Sequence, residues 1–218
     1  MLDVSVNKLG GLSLILGPAI AVVSFLFRPG GGLVGGNIDP ADSAASIQGL
    51  LDNSGPATIS FLLIPIGLLV MFFGFTVLRD HLRGSSGEAW MSIGWLFALV
   101  GILGWVIASA LAMGIVAMGA GAAANEGAYV AQAGVNTVAS VLAGIGFTAF
   151  VFGVLRSEQY NKIFTLIVLV LQIVIVVTSV IGAVDITFVQ TAAMVGGMVY
   201  VATTAWSVMI GLSLMKAE

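Results

Sequence analysis

The stretch 163–184, IFTLIVLVLQIVIVVTSVIGAV, holds no ionisable residue and is bounded by Lys162 and Asp185. About 20 apolar helical residues cross the roughly 30 Å hydrocarbon core of a bilayer, so this segment is long enough to span one. A helix is the form it must take, because lipid offers nothing to backbone N–H and C=O groups left open. Working outward, five more stretches pass the same test: 9–27 between Lys8 and Arg28, 57–78 closed by Arg79, 91–117 followed by the small-residue run 119–124, 133–155, and 191–215. The expected fold is all-α: a single transmembrane domain over 1–218, built as a bundle of six transmembrane helices.

Composition agrees. Of 218 residues, 59% are hydrophobic and 8% charged, against roughly 25% charged in an ordinary soluble domain. With a mean hydropathy of +1.15, the chain has too few charges to solvate a globular surface. A cytosolic enzyme, a nucleic-acid binder and a disordered scaffold are all excluded on that ground. There is no cysteine, hence no disulfide, thiolate metal site or cysteine nucleophile.

Cytoplasmic loops retain Lys and Arg during insertion. With both termini inside, the inner side collects Lys8, Arg79, Arg83, Arg156, Lys162 and Lys216, and the outer side holds Arg28 alone. That asymmetry predicts a multi-pass protein of the plasma (inner) membrane with cytoplasmic N and C termini, and it requires an even number of spans. The first span reads as a retained helix rather than a cleaved signal peptide: its apolar run exceeds a typical signal core, Asp3 sits where a basic segment belongs, and no small-x-small cleavage site precedes Arg28.

The outer loop 28–56 opens with Gly30, Gly31, Gly32, Gly35 and Gly36 and then gains order. Asp39 followed by Pro40 reads as a helix start, with Ala44, Ile47, Leu50 and Leu51 on one face of a short amphipathic helix. Pro65 inside the second span deprives the Phe61 carbonyl of its helical donor and predicts a kink. Phe73, Phe75, Val77, Leu78 and Arg79 recur 77 residues later as Phe150, Phe152, Val154, Leu155 and Arg156. Both copies end an outside-to-inside helix. Either hairpins are duplicated in parallel, or both helices meet one interfacial need, with aromatics and an arginine at the cytoplasmic end. In length, hydropathy and these Phe-x-Phe-x-Val-Leu-Arg segments the chain resembles small bacterial six-helix integral membrane proteins of uncharacterised function. That resemblance carries no site residues.

Chemistry-bearing groups are sparse. Every Asp, Glu, Lys, Arg and His falls in the expected loops or tails, leaving no intramembrane proton relay or carboxylate cation site. His81, the single histidine, lies in Arg79-Asp80-His81-Leu82-Arg83 and reads as a solvated loop residue. No catalytic residue, metal ligand or cofactor-binding residue is expected. Two polar stripes remain. Thr165, Gln172 and Ser179 recur every seven residues on span five, and Tyr200, Thr203, Thr204 and Ser207 gather with Gly196 and Gly211 on one side of span six. Mid-membrane, the Gln172 amide must turn inward, because hydrocarbon cannot satisfy it. The stripes serve either helix packing or a polar cavity. Span three carries small residues on two faces, Gly94, Ala98 and Gly101 on one and Gly104, Ala108 and Ala112 on the other. Trp90, Trp95, Trp105 and Trp206 are too scattered for a cage, and Trp90 suits the inner interface.

These features fit a non-catalytic accessory or structural subunit, contacting membrane lipids and packing against other integral membrane subunits or itself, for example in a respiratory or membrane monooxygenase complex. A carrier or channel for a neutral or lipophilic small molecule is the alternative. No nucleic-acid partner is expected, and an intramembrane enzyme ranks last.

Overall fold

The computed structural model describes residues 5–31, 33–36 and 38–217, so Asp3 and Gly32 lie outside the described residues. The chain is all-helical, with α1 Val6–Phe27, α2 Ser43–Asp52, α3 Ser54–His81, α4 Glu88–Met118, α5 Ala122–Ser157, α6 Lys162–Val184 and α7 Val189–Leu214. A 3₁₀ turn, Ile186–Phe188, joins α6 to α7, and six helices are long and apolar enough to cross a membrane. Neighbouring helices alternate in direction. This brings Lys8, Arg79, Arg83, Arg156, Lys162 and Lys216 to one end, called here the basic end, with α2 and Arg28 at the other.

Packing closes on itself: α1 touches α3 and α7, α3 touches α4, α4 touches α5, α5 touches α6, and α6 touches α7. Aromatic and aliphatic side chains fill the middle. Phe75 of α3 reaches across to Phe147 and Phe150 of α5, with ring centroids 5.8 and 4.8 Å apart, while Leu14, Ile210 and Trp206 are fully buried beside them.

Two hairpins share one packing register. In α1/α3, Gly17 and Ala21 face Gly67, and a methyl group on Gly67 would come within 2.6 Å of the Gly17 carbonyl oxygen. In α4/α5, Gly94 and Ala98 face Gly146, again backbone against backbone. Leu14 then covers Gly74 as Met91 covers Gly153. Without a hydrophobic force between helices in lipid, such close approach is what supplies dispersion energy. Gly94, Ala98 and Met91 follow Gly17, Ala21 and Leu14 by 77 residues, but Gly146 and Gly153 follow Gly67 and Gly74 by 79. The Phe-x-Phe-x-Val-Leu-Arg echo is thus two residues out of step with the packing repeat on its own helices.

Several boundaries differ from expectation. α5 begins at Ala122, not Ala133, because 122–133 is alanine-rich and strongly helix-forming although not uniformly apolar. At 36 residues it is about 54 Å long, well beyond the hydrocarbon thickness, so its first turns with Asn125 and Glu126 extend past the apolar zone. Charged residues expected in loops, among them Arg79, Asp80, Glu88, Glu126 and Arg156, are likewise helical and sit in overhanging end turns. α3 runs unbroken through Pro65, and α1 carries a further proline, Pro18. On α4, Gly104 meets Ala139 of α5, placing it on the same interface as Gly101 rather than on a second face.

The loop helix starts later than its sequence implies. Asp42, not Asp39, caps α2 by accepting from the Ala45 N–H at 2.9 Å, whereas Asp39 accepts from the Ala41 N–H in the turn that carries Pro40. Asp-Pro serves a turn as readily as a helix start. Ile47 and Leu50 are buried and Leu51 half-buried, but Ala44 is exposed. They form a second core with Ala57 and Phe61 of α3 and Ala112 and Ile115 of α4, so α2 covers the ends of α3, α4 and α5. Tyr129 of α5 fastens the preceding loop by donating to the Pro40 carbonyl at 2.8 Å.

Candidate functional site

The two polar stripes meet at the α6/α7 contact, where the glycine register of the other hairpins is replaced by hydrogen bonds. Thr165, Gln172, Thr203 and Ser207 are all buried. Gln172 Nε2 donates to Thr203 Oγ1 at 2.7 Å, and Thr203 Oγ1 donates in turn to the Val199 carbonyl one turn back at 2.8 Å. One turn toward the basic end, Trp206 Nε1 donates to Thr165 Oγ1 at 3.1 Å. Ser207 leaves the pair and donates to the Leu14 carbonyl of α1 at 2.7 Å, tying α7 to its other neighbour.

Not every stripe residue joins this cluster. Tyr200 is half-buried and turns toward α4, its ring edge-on to Trp105 at 5.8 Å. Trp105 Nε1 donates to Ser140 Oγ of α5 at 3.2 Å. Ser179 is half-buried, two turns beyond Gln172 toward the α2 end, apart from these bonds. Thr204 bonds back onto its own helix at the Tyr200 carbonyl. Trp206 is the residue the sequence reading missed: fully buried, it is among the largest side chains in the core. Its place three residues after Thr203, on the same helical face, was the available signal.

Thr203 fixes the Gln172 amide. A threonine hydroxyl that already donates to a carbonyl can only accept from a neighbour, so the amide nitrogen faces it. Gln172 Oε1 is left buried and without a donor. Such an orphaned acceptor costs about 1–3 kcal/mol. Asn125 presents a second case at the start of α5: its Nδ2 donates to the Ala120 carbonyl, while the buried Oδ1 has no partner.

The basic end is held by local pairs. Arg79 lies over the Trp95 ring at 4.7 Å and pairs with Asp80 at 3.0 Å, and Trp95 Nε1 donates to Thr76. Trp90 is exposed there, edge-on to Phe152 at 5.1 Å. His81 is half-buried in the last turn of α3. Burial pushes the Tyr160 phenol up to about 12 in the α5–α6 turn. Beyond the other end of α6, hydrogen bonds from the Thr187 hydroxyl and N–H hold the Asp185 carboxyl below its ordinary value.

Among the described residues, no three His, Asp or Glu side chains converge as a metal-binding group would require. The larger of two apolar concavities among the described residues faces outward from α4 and α5, the other lying on α6 at Leu166, Ile167, Val170 and Leu171. Between α4 and α5 runs an apolar groove of about 480 Å³, lined by Leu103, Gly104, Ile107, Gly134, Val138 and their neighbours. Compared with known protein families, curated proteins and solved structures, the chain matches none.

Proposed function

We propose that this protein is a non-catalytic integral subunit of the plasma (inner) membrane, with cytoplasmic termini, that packs against partner membrane proteins or a second copy of itself. The α4/α5 groove carries this reading. Val100, Leu103, Ile107 and Val138 are exposed on its walls, so it opens to the lipid side rather than to the helix interior. Gly134 lines it, and a methyl group there would meet nothing within 4 Å. A glycine in mid-helix costs about 1 kcal/mol relative to alanine. No contact within the chain explains Gly134, whereas a close-packed foreign helix would.

The interior supports the same reading. The polar groups on α6 and α7 are mostly engaged with α1 and with one another, as helix-joining groups are, and do not line a continuous polar surface. The test is extraction in mild detergent followed by mass analysis of what co-purifies, for the wild type and for Gly134→Leu. The variant fills the groove without touching its own core. Loss of a stoichiometric partner, or of self-association, with helix content retained is the expected result. Unchanged association would refute the groove as the docking face.

One observation favours the second reading, a carrier or channel for a neutral or lipophilic solute: the unpartnered Gln172 Oε1 could accept from such a ligand. Flux into proteoliposomes that Gln172→Leu abolishes would establish it.

A further inference from the structure

Among the described residues, Arg28 is the one Lys or Arg at the α2 end, and no carboxylate forms an ion pair with it. It terminates α1, its N–H donating to the Phe25 carbonyl at 3.2 Å. The chain then doubles back: Gly31 N–H donates to the Arg28 carbonyl, Leu33 N–H to the Leu26 carbonyl and Gly30 N–H to the Val34 carbonyl, while Pro29 bridges to Val34. This compact turn fixes the Arg28 backbone and directs its side chain along α1, with Cζ 4.8 Å from the centre of the Phe25 ring. Phe25 in turn lies against α7 at Gly197. The arginine is therefore half-buried over an aromatic face rather than extended into solvent.

No carboxylate of the described residues at this end pairs with Arg28: Glu126 is exposed in the first turns of α5, and the four aspartates are bonded elsewhere. Asp39 and Asp42 accept from backbone N–H groups of the loop, Asp52 accepts from Gln48, and Asp185 accepts from Thr187. Among the described residues the ion pairs are those of Asp80 with Arg79 and Arg83, at the basic end. The titratable group that acts on Arg28 is the Tyr129 phenol, and burial lowers the guanidinium from its ordinary value. A guanidinium is a planar fork of five donors suited to two oxygens of one anionic group. Partly removed from water, and with no such group paired to it among the described residues, it is a site awaiting an oxyanion.

We propose that Arg28, held over Phe25, binds the phosphate of an anionic phospholipid from the surrounding leaflet. Its depth fits this source: α1's apolar run ends at Phe27, the level at which lipid headgroups lie. Phe27 and Leu33, exposed on either side in sequence, supply apolar surface for the acyl chains.

The experiment is native mass spectrometry of the full chain, delipidated in detergent and titrated with phosphatidylglycerol, for wild type, Arg28→Lys and Arg28→Gln. Circular dichroism confirms that each variant keeps its helices. Wild type should hold one lipid about tenfold more tightly than Arg28→Gln, with Arg28→Lys between them, having charge without the fork. Competition by inorganic phosphate in the wild type but not in Arg28→Gln would assign recognition to the phosphate alone. An Arg28-dependent lipid that phosphate does not displace would assign it to the phospholipid as a whole. Equal lipid and phosphate binding by all three proteins would overturn the proposal, as would exchange of the lipid for a bound protein partner at Arg28.

Discussion

Replacing Gln172 by leucine should be tolerated far better than replacing Thr203 by valine. Both residues are buried and nearly matched in volume by their replacements. Gln172→Leu removes one interhelical bond, worth about 0.6 to 1.7 kcal/mol between membrane helices. It also removes the orphaned Oε1, whose burial costs about 1–3 kcal/mol. The balance runs from about 0.7 kcal/mol destabilising to about 2.4 kcal/mol stabilising. Thr203→Val instead strips the amide of its one bond, 2.7 Å long, and leaves both ends of Gln172 unsatisfied. That should destabilise by about 1–3 kcal/mol. Reversible unfolding of the full chain in mixed micelles, followed by circular dichroism, measures both. A Gln172→Leu protein destabilised as much as Thr203→Val would refute the reasoning, since it would mean that Oε1 has a donor and that the stripe holds a ligand.

The two glycine registers predict matched losses. Gly67→Ala and Gly146→Ala should each cost about 1–3 kcal/mol in the same unfolding assay, because a methyl group meets facing backbone in both. Gly134→Ala, with open space around it, should be neutral or gain up to about 1 kcal/mol. Trp206→Phe, which loses the indole bond to Thr165 and leaves a void, should cost about 1–3 kcal/mol and weaken α6/α7 protection in hydrogen exchange. Tyr160 favours its neutral form in the fold, with a folded value of about 12 against roughly 10 when exposed. Its stabilising effect is thus complete below roughly pH 10 and is lost as the pH rises toward about 12, so Tyr160→Phe should flatten alkaline unfolding over that window.

Six of the seven cationic residues cluster at one end in the structure, and it was the spacing of those charges that made the apolar helices readable. Charge is costly in hydrocarbon whatever the neighbours, so its distribution can be read one residue at a time. The start of α5 could not be read in this way. Polarity near Asn125 suggested a loop, but helix propensity governs once a segment leaves the bilayer, and α2 provides the surface that covers it. The inward turn of Gln172 was legible because an amide has no other refuge. Its pairing with Thr203 rather than Tyr200 depends on the rotation of two helices, which periodicity does not set. Asp39 failed as a cap because a turn and a helix start use the same residues. Gly104 was assigned to the wrong face for a similar reason: small residues every three or four positions drift around a helix, and only the facing Ala139 decides which of them are in contact.

The membrane account itself rests on which residues share a side, and the lack of native cysteine makes single-cysteine labelling a clean measure of it. Ser86→Cys lies at the basic end and Ala41→Cys in the loop before α2, both exposed. In intact cells a membrane-impermeant maleimide should modify Ala41→Cys at once and Ser86→Cys only after permeabilisation. Equal labelling of the two before permeabilisation would contradict it.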